Sequence, residues 1–418
     1  MQNPLRLRPT MTASEQVVRK IGAFVLFAVC ATLPFNGIIA LKRFLLLLLV
    51  GVAAFLLSRG RGRGRWPHVP PSVWIWFALA PLSVIWSVDS RFSASELLPD
   101  ALYPLLGMLA AVIVGEGWQN AKASLAGLFS GAVVVIAVGL WQASHYAYYD
   151  WYELAHGFGQ FSTYLIVLLP FVLLGILEAR KQRRAIATGL LQLLLCSILI
   201  AGYSTVNRMY WLSFLTVLGV IFAGALLRQE FENLRREVLI AATGIGLGVV
   251  GCFIYAVNHR TANAIGLPAE MSLVSTFDNS ERYEMWRFWI ERIPEHPWLG
   301  IGFGYDLPML TFRSIKPAHW FGLMFAHAHN LFIDIAVRQG LLGLAVFVAA
   351  IASLCRIFWR ALRGAEHRLA LVGIAGLSLI AGVLSKNLTD DFFTRGPLFN
   401  FWLLIGLLLG VLRTADRE

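Results

Sequence analysis

Residues 281–304, ERYEMWRFWIERIPEHPWLGIGFG, and 327–343, HAHNLFIDIAVRQGLLG, bracket the one long polar excursion of this chain. On either side the sequence is apolar runs of about 16 to 22 residues separated by short polar turns. About twenty apolar residues are what a helix needs to cross the hydrocarbon core, and the need to satisfy every backbone polar group there forbids most alternatives. Alternating β-barrel patterning is absent. The composition agrees: over 418 residues, 58% are hydrophobic and 14% charged, and the mean hydropathy is +0.67. The reading is an all-α integral membrane protein. It holds one segment, rich in Arg, His and Trp, outside the bilayer, and that is where chemistry is expected.

Twelve spans follow from the apolar runs. They begin with a hairpin, 21–33 and on to about 57, and continue at about 73–88, 96–114, 125–142 and on to about 177 from the aromatic stretch HYAYYDWYELAHGFGQ at 145–160. That stretch reads as a headgroup-depth belt. Spans at 185–202, 209–227 and about 238–257 precede the excursion; 330–354, 369–384 and 398–412 complete the set. Three regions result: 1–257 with spans one to nine, 258–328 as the outer loop carrying amphipathic helices, and 329–418 with spans ten to twelve. Pro81 and Pro99 are expected to kink their spans. The segment before the first span, MQNPLRLRPTMTASEQVVRK, reads as an uncleaved cytoplasmic leader. Cys30, Cys196, Cys252 and Cys355 lie in separate apolar runs and suggest neither a disulfide framework nor a zinc site.

The net charge of +11 would suit a nucleic-acid partner, but its distribution follows membrane sidedness. Of the 35 Lys and Arg, 22 fall on the side of the two termini, 12 on the other side and one, Arg338, inside span ten. The positive-inside rule makes the termini cytoplasmic and turns the excursion outward.

Cations at membrane depth tend to have a partner or a purpose. Arg208 is the one formal charge between Arg184 and Arg228 and stands at an outer helix junction, as an interfacial anchor or an anion site. Arg282 opens an amphipathic helix in which Arg287 has glutamates at helical spacing to pair with, and is freer to face an anion. Pro294 ends that helix. The glycines of HPWLGIGFG lack the Lys-Ser/Thr and flanking strand of a phosphate loop, so nucleotide binding is rejected. His327 and His329 diverge in direction and show no third ligand cluster, which argues against metal. A histidine at the start of span ten is expected to stay neutral, fit either for general base work or simply to hydrogen-bond across the loop. Asp334 and Arg338, at i and i+4, most simply neutralise each other and are almost alone in the spans. Asp390 and Asp391, beside Lys386 and Arg395, are competing bases or solvated turn charges.

The pattern of Arg208 after an outer span, Arg282 followed by W-x-x-W-I-x-x-I-P-x-H-P-W-L-G-I-G-F-G, and His329-Asn330 entering L-F-x-D-I-A-V-R-Q-G-L-L-G resembles the O-antigen ligase family of the bacterial envelope. The resemblance implies a fold similar to GT-C glycosyltransferases and transfer of polysaccharide from undecaprenyl pyrophosphate to a sugar of lipid A-core, with no nucleotide sugar, cofactor or required metal. It implies location in the inner membrane with the site toward the periplasm. By position, its two functional arginines fall on Arg208 and Arg282 and its histidine on His329. His327, Asn330, Lys386 and Asp390 are further candidates that the residues themselves offer, apart from the resemblance. Asn207 departs from the small hydroxyl residue that relatives often carry before the arginine. The residue types suit the chemistry: arginines over a departing pyrophosphate, and a base for a sugar hydroxyl, His329 first and Asp390 second. Related readings are an O-antigen polymerase or a protein O-oligosaccharyltransferase using the same donor; a non-enzymatic one is a lipid-glycan flippase.

Overall fold

A computed structural model describes residues 13–59, 69–145, 157–205, 207–228, 280–317, 320 and 326–415, with a few isolated positions between 243 and 251. Most of the aromatic stretch at 145–160, most of the expected span at 238–257 and residues 258–279 of the outer loop lie outside the described residues. Helix is the only regular structure among those described. In chain order the helices are α1 (Ala13–Thr32), α2 (Ile39–Ser58), α3 (Pro71–Ser83), α4 (Ser90–Val114), α5 (Trp118–His145), α6 (Gly157–Lys181) and α7 (Ala185–Ser204). They continue with α8 (Arg208–Leu226), α9 (Ser280–Ile290), α10 (Leu307–Phe312), α11 (Leu331–Arg363), α12 (His367–Lys386) and α13 (Arg395–Ala415). Among the described residues, nine helices are long and apolar enough to cross a membrane: α2, α4 to α8 and α11 to α13. The protein is an all-α integral membrane protein, as its apolar runs require.

Packing follows the small residues. Gly127 and Gly131 of α5 lie against α1 so closely that a Cβ would stand 2.1 Å from the Phe27 carbonyl oxygen and 2.2 Å from that of Ala31. Spans in lipid gain little from burying apolar surface, so such backbone approach is what holds them together. The centre of the bundle is α6, α12 and α13, while α2 and α7 turn most of their surface outward.

Two local departures from the sequence reading position the site. The segment 89–96 is the first turns of a helix rather than a connecting loop: Asp89 Oδ1 accepts the Phe92 N–H at 2.9 Å, an N-cap, and the helix runs on into α4 through a π-helical turn at Leu98–Leu102 that accommodates Pro99. α3 stops at Ser83, short of the expected 88, just after Pro81.

The second departure is a break in α11. Gly340 has φ 69 and ψ −177, a conformation open essentially to glycine alone. The break frees backbone groups at membrane depth, where each must find a partner. The loop 296–302 supplies them. Ile301 and Gly302 donate to the carbonyls of Val337 and Arg338 at 3.1 and 2.9 Å, and Leu341 and Leu342 donate to those of Pro297 and Trp298 at 2.8 and 3.2 Å. The same loop is tied to the connection between α3 and α4 by Val88 N–H to the Ile301 carbonyl and by the Trp86 indole to that of Leu299, both at 2.9 Å. The glycine-rich sequence is thus a brace across a broken span.

Candidate active site

The ends of α8, α9, α11, α12 and α13 meet at one face of the bundle. Asn207 caps α8, its Oδ1 accepting the Tyr210 N–H at 3.2 Å, and its Nδ2 donates to Asp390 Oδ2 at 3.2 Å. The residue in which the sequence departs from the expected hydroxyl therefore keeps a cap's role and adds a bond across to the turn between α12 and α13. Arg208 is the first residue of α8; its side chain lies outside the described residues.

Asp390 is the hub of one half. Lys386, wholly buried at the end of α12, donates to Oδ2 at 2.7 Å, while Arg282 of α9 approaches Oδ1 at 3.4 Å and also donates to the Thr389 carbonyl. Burial works against the charge of Asp390, but Lys386 and Arg282 more than offset it and hold the carboxyl below its usual range. Arg282, expected to face an anion, faces this internal one. The neighbouring Arg287 pairs at the surface with Glu291 at 2.9 Å, as its spacing predicts.

The other half is built on Asp391 and Asp334. Arg338 sits 3.5 Å from Asp391 Oδ2 and gives its Nε–H to the Asp334 carbonyl oxygen at 3.2 Å, so it does not form the expected pair with the Asp334 carboxylate. That carboxylate instead accepts the Ala328 N–H on Oδ1 at 2.8 Å and faces His327 Nδ1 from Oδ2 at 3.7 Å. Neither aspartate of the 390–391 turn is solvated; Asp390 is 5% exposed and Asp391 0%. Burial, and Asp334 close by, push the Asp391 carboxyl well above its usual range. Tyr305, which the sequence reading passed over, donates its hydroxyl to the Asp391 backbone carbonyl at 2.6 Å, packs its ring tilted against His327 with centroids 4.9 Å apart and lies under the Arg338 guanidinium. Its position directly after G-F-G was the available signal.

Between the halves stands His329. Asn330 caps α11, its Oδ1 accepting from Phe332 and Ile333, and is tied to the Leu388 carbonyl through Nδ2 at 2.8 Å. His329, one residue earlier, has φ 49, a left-handed conformation, and its N–H donates to His327 Nδ1 at 3.1 Å. The two imidazoles lie with centroids 3.9 Å apart. Nδ1 of His329 is buried with no hydrogen-bond partner. Burial, then His327, lowers its pKa to about 4, and Asp390 and Arg282 are near enough to act on its charge. The histidine is neutral as expected, chiefly through desolvation rather than the helix N-terminus.

His327, Asp334 and Asp391 present ligand atoms within 4.8 Å of one another, a cluster the sequence alone did not reveal because its third member comes from a different element. Arg338 already sits on Asp391 there and balances its charge. Buried span charges are also more numerous than expected. Glu96 and Asp100, one turn apart in α4, hold Arg395: its guanidinium meets Glu96 at 2.7 Å and its N–H donates to Asp100 at 2.8 Å. All of these groups gather at one end of the bundle.

The family model for O-antigen ligase matches residues 154–348. That range contains Arg208, Arg282, His327, His329 and Asn330 and stops before Lys386, Asp390 and Asp391. An O-antigen ligase of Pseudomonas aeruginosa is 29% identical over 133 residues, which are 32% of this chain and 30% of that protein. The chain therefore spans less than a third of the curated relative it matches. The family-model match covers just under half of the chain and takes in the histidine-bearing entry to α11 and the braced break at Gly340, so this part of the chain is similar to O-antigen ligases.

Proposed function

We propose that this protein is a glycosyltransferase that moves a polysaccharide from undecaprenyl pyrophosphate to a sugar hydroxyl of lipid A-core. The observation that carries the reading is a neutral histidine with an unpartnered ring nitrogen beside a fixed cluster of cations. The acceptor hydroxyl is a weak nucleophile; as its oxygen attacks the anomeric carbon, its proton passes to His329 Nδ1. The bond from that carbon to the pyrophosphate oxygen breaks on the opposite face, so the anomeric centre inverts. Arg282 exchanges Asp390 for the departing pyrophosphate, and Arg208 takes the same anion from the α8 end; guanidinium groups suit this bidentate contact. Lys386 and Asn207 keep Asp390 in place meanwhile. No cofactor or metal takes part. The fold is of the GT-C kind, and the protein lies in the bacterial inner membrane with its termini cytoplasmic and the site open to the periplasm, an orientation that the charge bias supports.

Purified protein incubated with undecaprenyl-pyrophosphate glycan and, in separate reactions, lipid A-core, glycan alone or a pilin-like protein tests this. Product with lipid A-core alone is expected. Chain extension would make the protein a polymerase, and a glycosylated protein would make it an O-oligosaccharyltransferase. No product with any acceptor, together with donor moving between leaflets, would make it a flippase.

A further inference from the structure

At the face opposite the site, α5, α6, α12 and α13 leave a cavity of about 170 Å³ between them. Apart from Ser124 and Glu178, its lining side chains are apolar, among them Phe129, Phe171, Leu371 and Leu408. An apolar cavity of roughly 150 Å³ is large enough to take a benzene ring, so this one admits a stretch of hydrocarbon chain. Its polar end is built differently. Glu178 is met by His367 Nε2 at 2.8 Å, and Lys181 Nζ lies 3.0 Å from the same nitrogen. On the other side Arg368 stands over the ring of Trp118, itself part of the lining, at 5.5 Å. Two cations thus stand at the rim of an apolar slot, beside the Glu178 carboxylate and at the ends of the spans α6 and α12.

We infer that this cavity binds an anionic glycerophospholipid, one acyl chain between α5, α6, α12 and α13 and the phosphate at Lys181 and Arg368. The cations select the occupant: a basic residue near a bilayer surface favours an anionic headgroup, and an uncharged hydrocarbon end draws nothing from it. The site lies across the membrane from the proposed chemistry and does not depend on it.

The test titrates the delipidated, detergent-purified full chain with phosphatidylglycerol and with phosphatidylcholine of identical acyl chains, and counts retained lipids by native mass spectrometry. One phosphatidylglycerol per chain, held roughly thirtyfold tighter than phosphatidylcholine, is expected from two rim cations. Ala375→Phe and Ala121→Phe, which fill the cavity from two different helices, should each abolish retention while remaining monodisperse. Lys181→Glu with Arg368→Glu should bring the two lipids to parity. Leu193→Phe, on a side chain 65% exposed and not part of the cavity lining, should change nothing. Equal retention of both lipids by the unaltered chain, indifference to both filling variants, loss in Leu193→Phe, or preferential binding of undecaprenyl phosphate would each overturn the assignment.

Discussion

Asp390 and Asp391 are consecutive residues of the turn between α12 and α13, and they face opposite halves of the site. The Asp390 half is saturated with donors, from Lys386, Arg282 and Asn207. The Asp391 half pairs a single arginine, Arg338, with two carboxylates and a histidine. One backbone turn thereby holds one carboxyl below its ordinary range and its neighbour above it. Environments that push like groups apart are how a site assigns acid and base roles, and here they assign Asp390 to fixed charge. The neutral His329 between the halves is left as the group able to take a proton.

Breaking the first half should have the largest effect on stability. Lys386→Met leaves a buried carboxylate short of its closest partner, a loss of about 3–5 kcal/mol for a broken buried pair, at the lower end here because Arg282 and Asn207 remain. A lowered melting temperature in detergent would show it. Gly340→Ala comes next. Its Cβ would stand 2.3 Å from the Trp298 carbonyl in a conformation that disfavours any side chain, a strain of about 1–3 kcal/mol. Increased proteolysis within 296–302 would report the opened brace.

The contrast between the aspartates can itself be titrated. The unfolded chain takes up the Asp390 proton before the folded one does, so this group's contribution is lost as pH falls below the ordinary carboxylate value of about 4. For Asp391 the folded chain keeps its proton to higher pH, so its contribution is lost as pH rises from there toward neutrality. Melting profiles of Asp390→Asn and Asp391→Asn should therefore flatten on opposite sides, each by a few degrees. At the bottom of the scale, Arg287→Ala removes an exposed pair and should leave melting and transfer unchanged.

Much of this was legible in the sequence. Run length marked the helical membrane class, and Asn330 followed by an apolar run marked the start of α11. His329 stood out because it enters that helix. Partners were not legible, because they come from elements far apart in the chain. Asp334 and Arg338 share a helix at i and i+4, yet each finds its counterpart elsewhere, in His327 and Asp391. The Asp89 cap could have been read from D-S-R-F; it was hidden by the polarity of the turns that follow. HPWLGIGFG was read only for what it lacks as a phosphate loop; its bracing contacts depend on a break at Gly340 that no local pattern announces.

The central claim is that His329 accepts the acceptor's proton. Single-turnover transfer from undecaprenyl-pyrophosphate glycan to lipid A-core, measured for the unaltered protein, His329→Gln and Asp390→Asn at matched membrane insertion and donor binding, tests it most directly. His329→Gln is expected to slow the step by roughly 10²–10⁴-fold with donor affinity retained, while the unaltered rate stays level as pH falls through 6.5 and declines only near 4. Full activity in His329→Gln, with the loss confined to Asp390→Asn, would contradict it and move the base to the aspartate.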